Sequence, residues 1–84
     1  MKHVASPQFW ACYASLPPRV RDVADKCYVL LKENPQHPSL HFKRVGKHRT
    51  VRVGLHYRAI AAEDGDTLIW FWIGTHAEYD RLIA

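Results

Sequence analysis

The sequence predicts an α+β domain: a small antiparallel sheet packed against an N-terminal αα-hairpin and closed by a short C-terminal helix. Three observations predict it. Apolar residues recur at helical spacing as far as Asn34-Pro35 and alternate with period two after it. Glycine-bearing turns separate the alternating runs. A Thr75-x-x-Glu78 capping box then opens a last segment with an apolar edge. Eighty-four residues make one domain, 1–84, with room for one modest core.

Each element has its own signal. "MKHVA" suits a short edge strand. Ser6 reads as an N-cap with Pro7 at the first helical position, and Phe9, Cys12, Tyr13 and Leu16 follow at helical spacing. Pro17 and Pro18 end that helix and start the next. Val20, Val23, Cys27, Leu30 and Leu31 form one stripe, and Asn34-Pro35 ends it. "LHFKRV", "TVRVG" and "YRAIAA" read as strands, the last two joined through Gly54, Leu55 and His56. Asp64-Gly65 marks a turn before "TLIWFWI", a strand apolar on both faces and therefore expected inside the sheet. Strict alternation along it places Trp70 and Trp72 on one face and Ile69, Phe71 and Ile73 on the other. The expected sheet has three or four strands, and Val53, Ile60, Leu68, Phe71, Leu30 and Val23 are expected to be buried.

Composition excludes several classes. The longest apolar run, "LIWFWI", is too short to span a bilayer, and "MKHVASPQFW" lacks the apolar core of a signal peptide, so the expected compartment is the cytoplasm. Two cysteines, Cys12 and Cys27, are too few for a disulfide scaffold and read as buried free thiols. His37 and His41 are four apart with Pro38 between them, so no helix presents them to a metal, and none is expected.

Charge placement says more than the net +4. Between Glu33 and Glu63 there is no acidic residue, while Lys43, Arg44, Lys47, Arg49, Arg52 and Arg58 all lie there with four histidines. Such a one-sided block suits a polyanion or an acidic protein partner.

Order and spacing then bring in a resemblance. "RVGLHYRAI", residues 52–60, resembles the R-V-G-x-Y-R hairpin of the RelE/ParE superfamily of toxins. "IGTHAEYDRL" resembles the closing segment of that superfamily, most closely its HigB-like branch. "VADKCYVLLKENPQHPSLHFKRV" resembles its second helix, Asn-Pro stop and entry into the sheet. The resemblance implies a RelE-like fold and the toxin of a type II toxin–antitoxin pair, neutralised by a small acidic antitoxin. It implies a metal-independent, cofactor-free endoribonuclease acting on messenger RNA at the ribosome. The alternatives within the superfamily are a ParE-like gyrase inhibitor without chemistry and a degenerate toxin that keeps only antitoxin binding. Three positions depart from the pattern: Leu55-His56 stands where the family has one residue, Thr50 where some cleaving members have lysine, and His76 near a position that carries arginine in some.

Cleavage of this kind needs a base for the ribose 2′-OH, cationic donors for the phosphate and an acid for the leaving 5′-oxygen. Arg52 and Arg58 flank the tight hairpin and suit forked phosphate contact. His76, in the first turn of the last helix, is the candidate acid or base, and Tyr79 lies one turn on. Lys43, Arg44, Lys47 and Arg49 read as grips on RNA backbone phosphate, with His56 as a further RNA contact and the second-choice acid or base.

Overall fold

Ser6 starts the first helix as its residue type dictates: its Oγ accepts from the Phe9 N–H at 3.2 Å. The computed structural model describes residues 1–83. In order it forms β1 (Lys2–Ala5), α1 (Pro7–Ala14), α2 (Pro18–Glu33), a 3-10 turn (Pro38–Leu40), β2 (Lys43–Val45), β3 (His48–Val53), β4 (Tyr57–Asp64), β5 (Thr67–Thr75) and α3 (His76–Ile83). The joint between α1 and α2 is closed by the Arg21 guanidinium, which donates to the Leu16 carbonyl at 3.0 Å. α1 packs chiefly on β5, and α2 on β3.

The sheet has five strands in the order β1-β5-β4-β3-β2. That exceeds the expected three or four, because the N-terminal segment pairs parallel with β5, His3 opposite Leu68. The other pairings are antiparallel. Gly54 opens the β3–β4 turn at φ +63°, a left-handed conformation that favours glycine. β2 begins at Lys43, later than "LHFKRV" suggests. His37 Nδ1 caps a 3-10 turn by accepting from Ser39 N–H at 3.2 Å, and His41 turns left-handed at φ 46°. That turn drops Leu40 into the core, where it is fully buried.

One face of the sheet carries the core. Val51, Val53, Ala59, Ala61, Leu68, Trp70 and Ile73 meet Leu31 of α2 and the inner sides of α1. Each fully buried leucine contributes about 1.5–3 kcal/mol by leaving water. Val53, Ile60 and Leu68 are buried as expected. Val23 and Leu30 are only half-buried. No further layer covers α2, so the flanks of its stripe stay wet and only Leu31 is enclosed.

Strict alternation fails along β5. Ile60 pairs with Trp72 and Ala61 with Trp70, so Phe71 has no partner and forms a bulge. The extra residue reverses the phase. Trp70 and Ile73 therefore share the core face, and Trp72 turns to the other side. Phe71 is half-buried rather than buried, its ring 5.6 Å from that of His48.

His3 ties β1 to this core. The Trp70 indole N–H donates to His3 Nδ1 at 3.1 Å, which requires that nitrogen to be unprotonated. Burial, then the N-terminal ammonium, then Lys32 hold the His3 pKa below its ordinary 6.5. The unfolded chain thus binds the extra proton first, and stability is lost as pH falls below 6.5. The thermal midpoint is expected to drop between about pH 7.5 and about pH 5.5, and to drop less in His3→Asn, whose amide oxygen still accepts from the indole. Equal acid sensitivity in both proteins would count against a role for His3.

Candidate active site

The sheet face away from the helical hairpin holds the charged site. Arg52 on β3 and Arg58 on β4 stand directly opposite each other across the hairpin. Arg58 is in turn opposite Gly74, and α3 begins two residues beyond that glycine. The strand break thus delivers His76 to the arginine pair. Arg58 Nε donates to His76 Nδ1 at 3.2 Å. With an N–H donor on Nδ1, the neutral ring carries its proton on Nε2, which faces Asp80 Oδ2 at 3.4 Å. The His76 backbone N–H donates to the His56 carbonyl at 2.7 Å and locks the helix start to the hairpin tip.

Thr75 and Glu78 form the expected capping box. Glu78 N–H donates to Thr75 Oγ1 at 3.2 Å, and Thr75 N–H donates to Glu78 Oε1 at 3.0 Å. The Thr75 backbone N–H, then its hydroxyl, hold the Glu78 carboxyl below its ordinary range. Tyr79 forms a floor beneath His76 and Arg58. Its ring stacks under His76 with centroids 6.0 Å apart, and the Arg58 guanidinium lies 5.5 Å from its centre. The Tyr79 hydroxyl is buried without a partner among the described residues.

The basic block divides between the two faces. Lys43 is opposite Thr50 and shares the face of Arg52 and Arg58. Lys47 stands exposed in the turn before β3, and the His56 side chain is exposed at the β3–β4 tip. Arg44 and Arg49 lie on the other face, both held by Glu63: Arg44 Nη2 at 3.0 Å and Arg49 Nε at 3.0 Å. The Arg49 and Arg44 contacts keep the Glu63 carboxyl below its usual range. The acid-free stretch therefore has its counter-ion at its own border. Asp80 was not among the candidates, although its spacing of four from His76 on a helix is a readable signal.

Neither Arg52 nor Arg58 makes an ion pair among the described residues; Arg58 meets the His76 imidazole and the Tyr79 ring. Like charges opposed across strands destabilise a sheet by about 0.2–1 kcal/mol. Arg52→Thr should therefore raise the thermal midpoint by roughly 1–5 °C at low salt and less at high salt. An unchanged or lower midpoint at low salt would show that the pair carries no strain.

Among solved structures the chain resembles several toxins. It matches a chain of the RelB-RelE antitoxin–toxin complex from Methanococcus jannaschii with TM-score 0.72 and 16% identity, covering 96% of this chain and 99% of that one. YafQ from E. coli strain BL21(DE3) matches with TM-score 0.69 and 19% identity, covering 93% of this chain and 96% of that one. The isolated E. coli RelE toxin matches with TM-score 0.64 and 13% identity, covering 99% of this chain and 98% of that one. Identities this low speak to the fold, which is the RelE-like one expected. No curated protein matches the chain. The family model for a ParE-like toxin domain matches residues 18–81, and it does not single out the HigB-like branch. That match spans both sides of the arginine hairpin and the His76 helix, and the chain belongs to the ParE-like toxin domain family.

Proposed function

We propose that the chain is the toxin of a type II toxin–antitoxin pair and cleaves messenger RNA on the ribosome without a metal. One observation supports this most: an imidazole nitrogen held at 3.2 Å from Arg58, itself opposite Arg52 on the sheet face away from the helical hairpin. Arg52 and Arg58 take the phosphate, where negative charge grows in the transition state. Arg58 then leaves Nδ1 for the phosphate, and Nδ1 accepts the proton of the ribose 2′-OH. The 2′-oxygen bonds to phosphorus as the bond to the 5′-oxygen breaks. His56, when protonated, returns a proton to that oxygen from the adjacent hairpin tip. Lys43 and Lys47 steer the RNA backbone along the same side. The reaction is cytoplasmic, and a small acidic antitoxin covers the basic face between encounters.

Expression of the chain alone, with mapping of message ends on ribosomes, tests this reading. Growth arrest with cuts in ribosome-bound message supports it. The ParE-like family description favours a second reading, a gyrase inhibitor without chemistry. Arrest without cuts, with loss of supercoiling by purified gyrase, would establish that one. No arrest at all would leave a degenerate toxin.

A further inference from the structure

We propose that Asp80 is a positioning residue, which fixes His76 in the tautomer and orientation that turn Nδ1 toward Arg52 and Arg58. The proposal rests on the cleavage reading above.

The electrostatics of the site call for such a group. A base that takes a proton beside two guanidiniums becomes a third cation in the same place, which opposes proton uptake. The groups facing the ring are Arg58 from β4, which stands opposite Arg52, and Tyr79 and Asp80 from α3. Glu78 is committed to the Thr75 cap. Asp80 is thus the one carboxylate against the imidazole among the described residues, and it lies on the nitrogen away from the arginines. Helical spacing of four puts the two side chains on one face by geometry alone. The 3.4 Å separation is long for a hydrogen bond and suits a contact that tightens as the imidazolium forms. Asp80 has no other ion-pair partner among the described residues, and the cap of α3 does not use it.

Its action is that of an orienting carboxylate. Holding the proton on Nε2 leaves the Nδ1 lone pair free for the 2′-OH once Arg58 moves to the phosphate. The negative charge then stabilises the imidazolium.

Asp80→Asn keeps an oxygen that accepts from Nε2–H and removes the charge; Asp80→Glu restores the charge. Single-turnover cleavage of ribosome-bound message should fall roughly 10–100-fold in Asp80→Asn and recover in part in Asp80→Glu. The acidic limb of the pH–rate profile should move to lower pH in Asp80→Asn, because the imidazolium loses its counter-ion. Both side chains are exposed, so thermal unfolding should hardly change. A uniform loss of rate with an unmoved limb would overturn the proposal. Nitrogen NMR of His76 in the uncut protein decides the point independently of catalysis. Arg58→Ala removes the donor on Nδ1 and should still hold the proton on Nε2 through Asp80, whereas Arg58→Ala combined with Asp80→Leu should mix the two tautomers. Should the parent never cut, the cleavage reading falls, and an identical tautomer balance in those two variants would then refute the positioning role by itself.

Discussion

His76→Ala is expected to slow message cleavage by about 10²–10⁴-fold, the usual loss when a general acid or base is removed. That corresponds to roughly 3–5 kcal/mol of transition-state stabilisation. The fold should survive, because the His76 side chain is 48% exposed and alanine keeps the backbone N–H that reaches the His56 carbonyl. Growth arrest should disappear while antitoxin binding persists. Arg58→Ala should act alike, since it removes both the proposed phosphate ligand and the donor that holds Nδ1. Tyr79→Phe should be mild: the hydroxyl is buried and unpartnered, and losing it leaves the ring under His76. Cleavage and arrest by purified, folded variants check all three. A folded His76→Ala that cuts as fast as the parent would move the chemistry to His56 or to the arginines alone.

Gly74→Ala should carry the largest loss of stability. A methyl there would lie 2.5 Å from Trp72 Cζ2 and 3.0 Å from Glu78 Oε1. The indole is rigid and sits on β5, so it cannot swing aside as a lysine would. Relief requires moving the Trp72 ring, the strand or the cap. Overpacking costs about 1–3 kcal/mol, and loss of the Thr75–Glu78 cap about 1 kcal/mol more. Together these should lower the thermal midpoint by roughly 10–20 °C. Trp72→Leu combined with Gly74→Ala should recover part of that, because the nearest clashing atoms are gone. If Gly74→Ala melts with the parent, Trp72 and the cap are looser than their geometry shows.

Much of this was legible in the sequence because the signals were local. Ser6-Pro7, Pro17-Pro18 and Asn34-Pro35 mark helix ends through the chemistry of capping and of proline. Thr75-x-x-Glu78 marks α3 in the same way. The pairing of Arg52 with Arg58 followed from a short hairpin and alternation. What was missed depends on pairing across the sheet. The Phe71 bulge reverses β5 without altering its apolar run, so Trp70 and Trp72 could not be assigned to faces from alternation alone. The parallel pairing of β1 needs the whole domain assembled between its partners. Glu63 neutralises Arg44 and Arg49 from the border of a stretch defined by lacking acids, so a linear charge pattern hid it. Asp80 carries no signal in its residue type, and only its helical spacing of four from His76 marks it.

The chemistry is tested most directly by the ends the reaction leaves. Purified protein should be mixed with ribosomes carrying a defined message, and a second message should lack the 2′-hydroxyl at the cleaved nucleotide. Attack by the 2′-oxygen leaves a 2′,3′-cyclic phosphate on one product and a 5′-hydroxyl on the other, and the deoxy message should remain intact. Ends bearing a 5′-phosphate, or equal cutting of the deoxy message, would contradict a His76 base acting with Arg52 and Arg58 on the ribose hydroxyl.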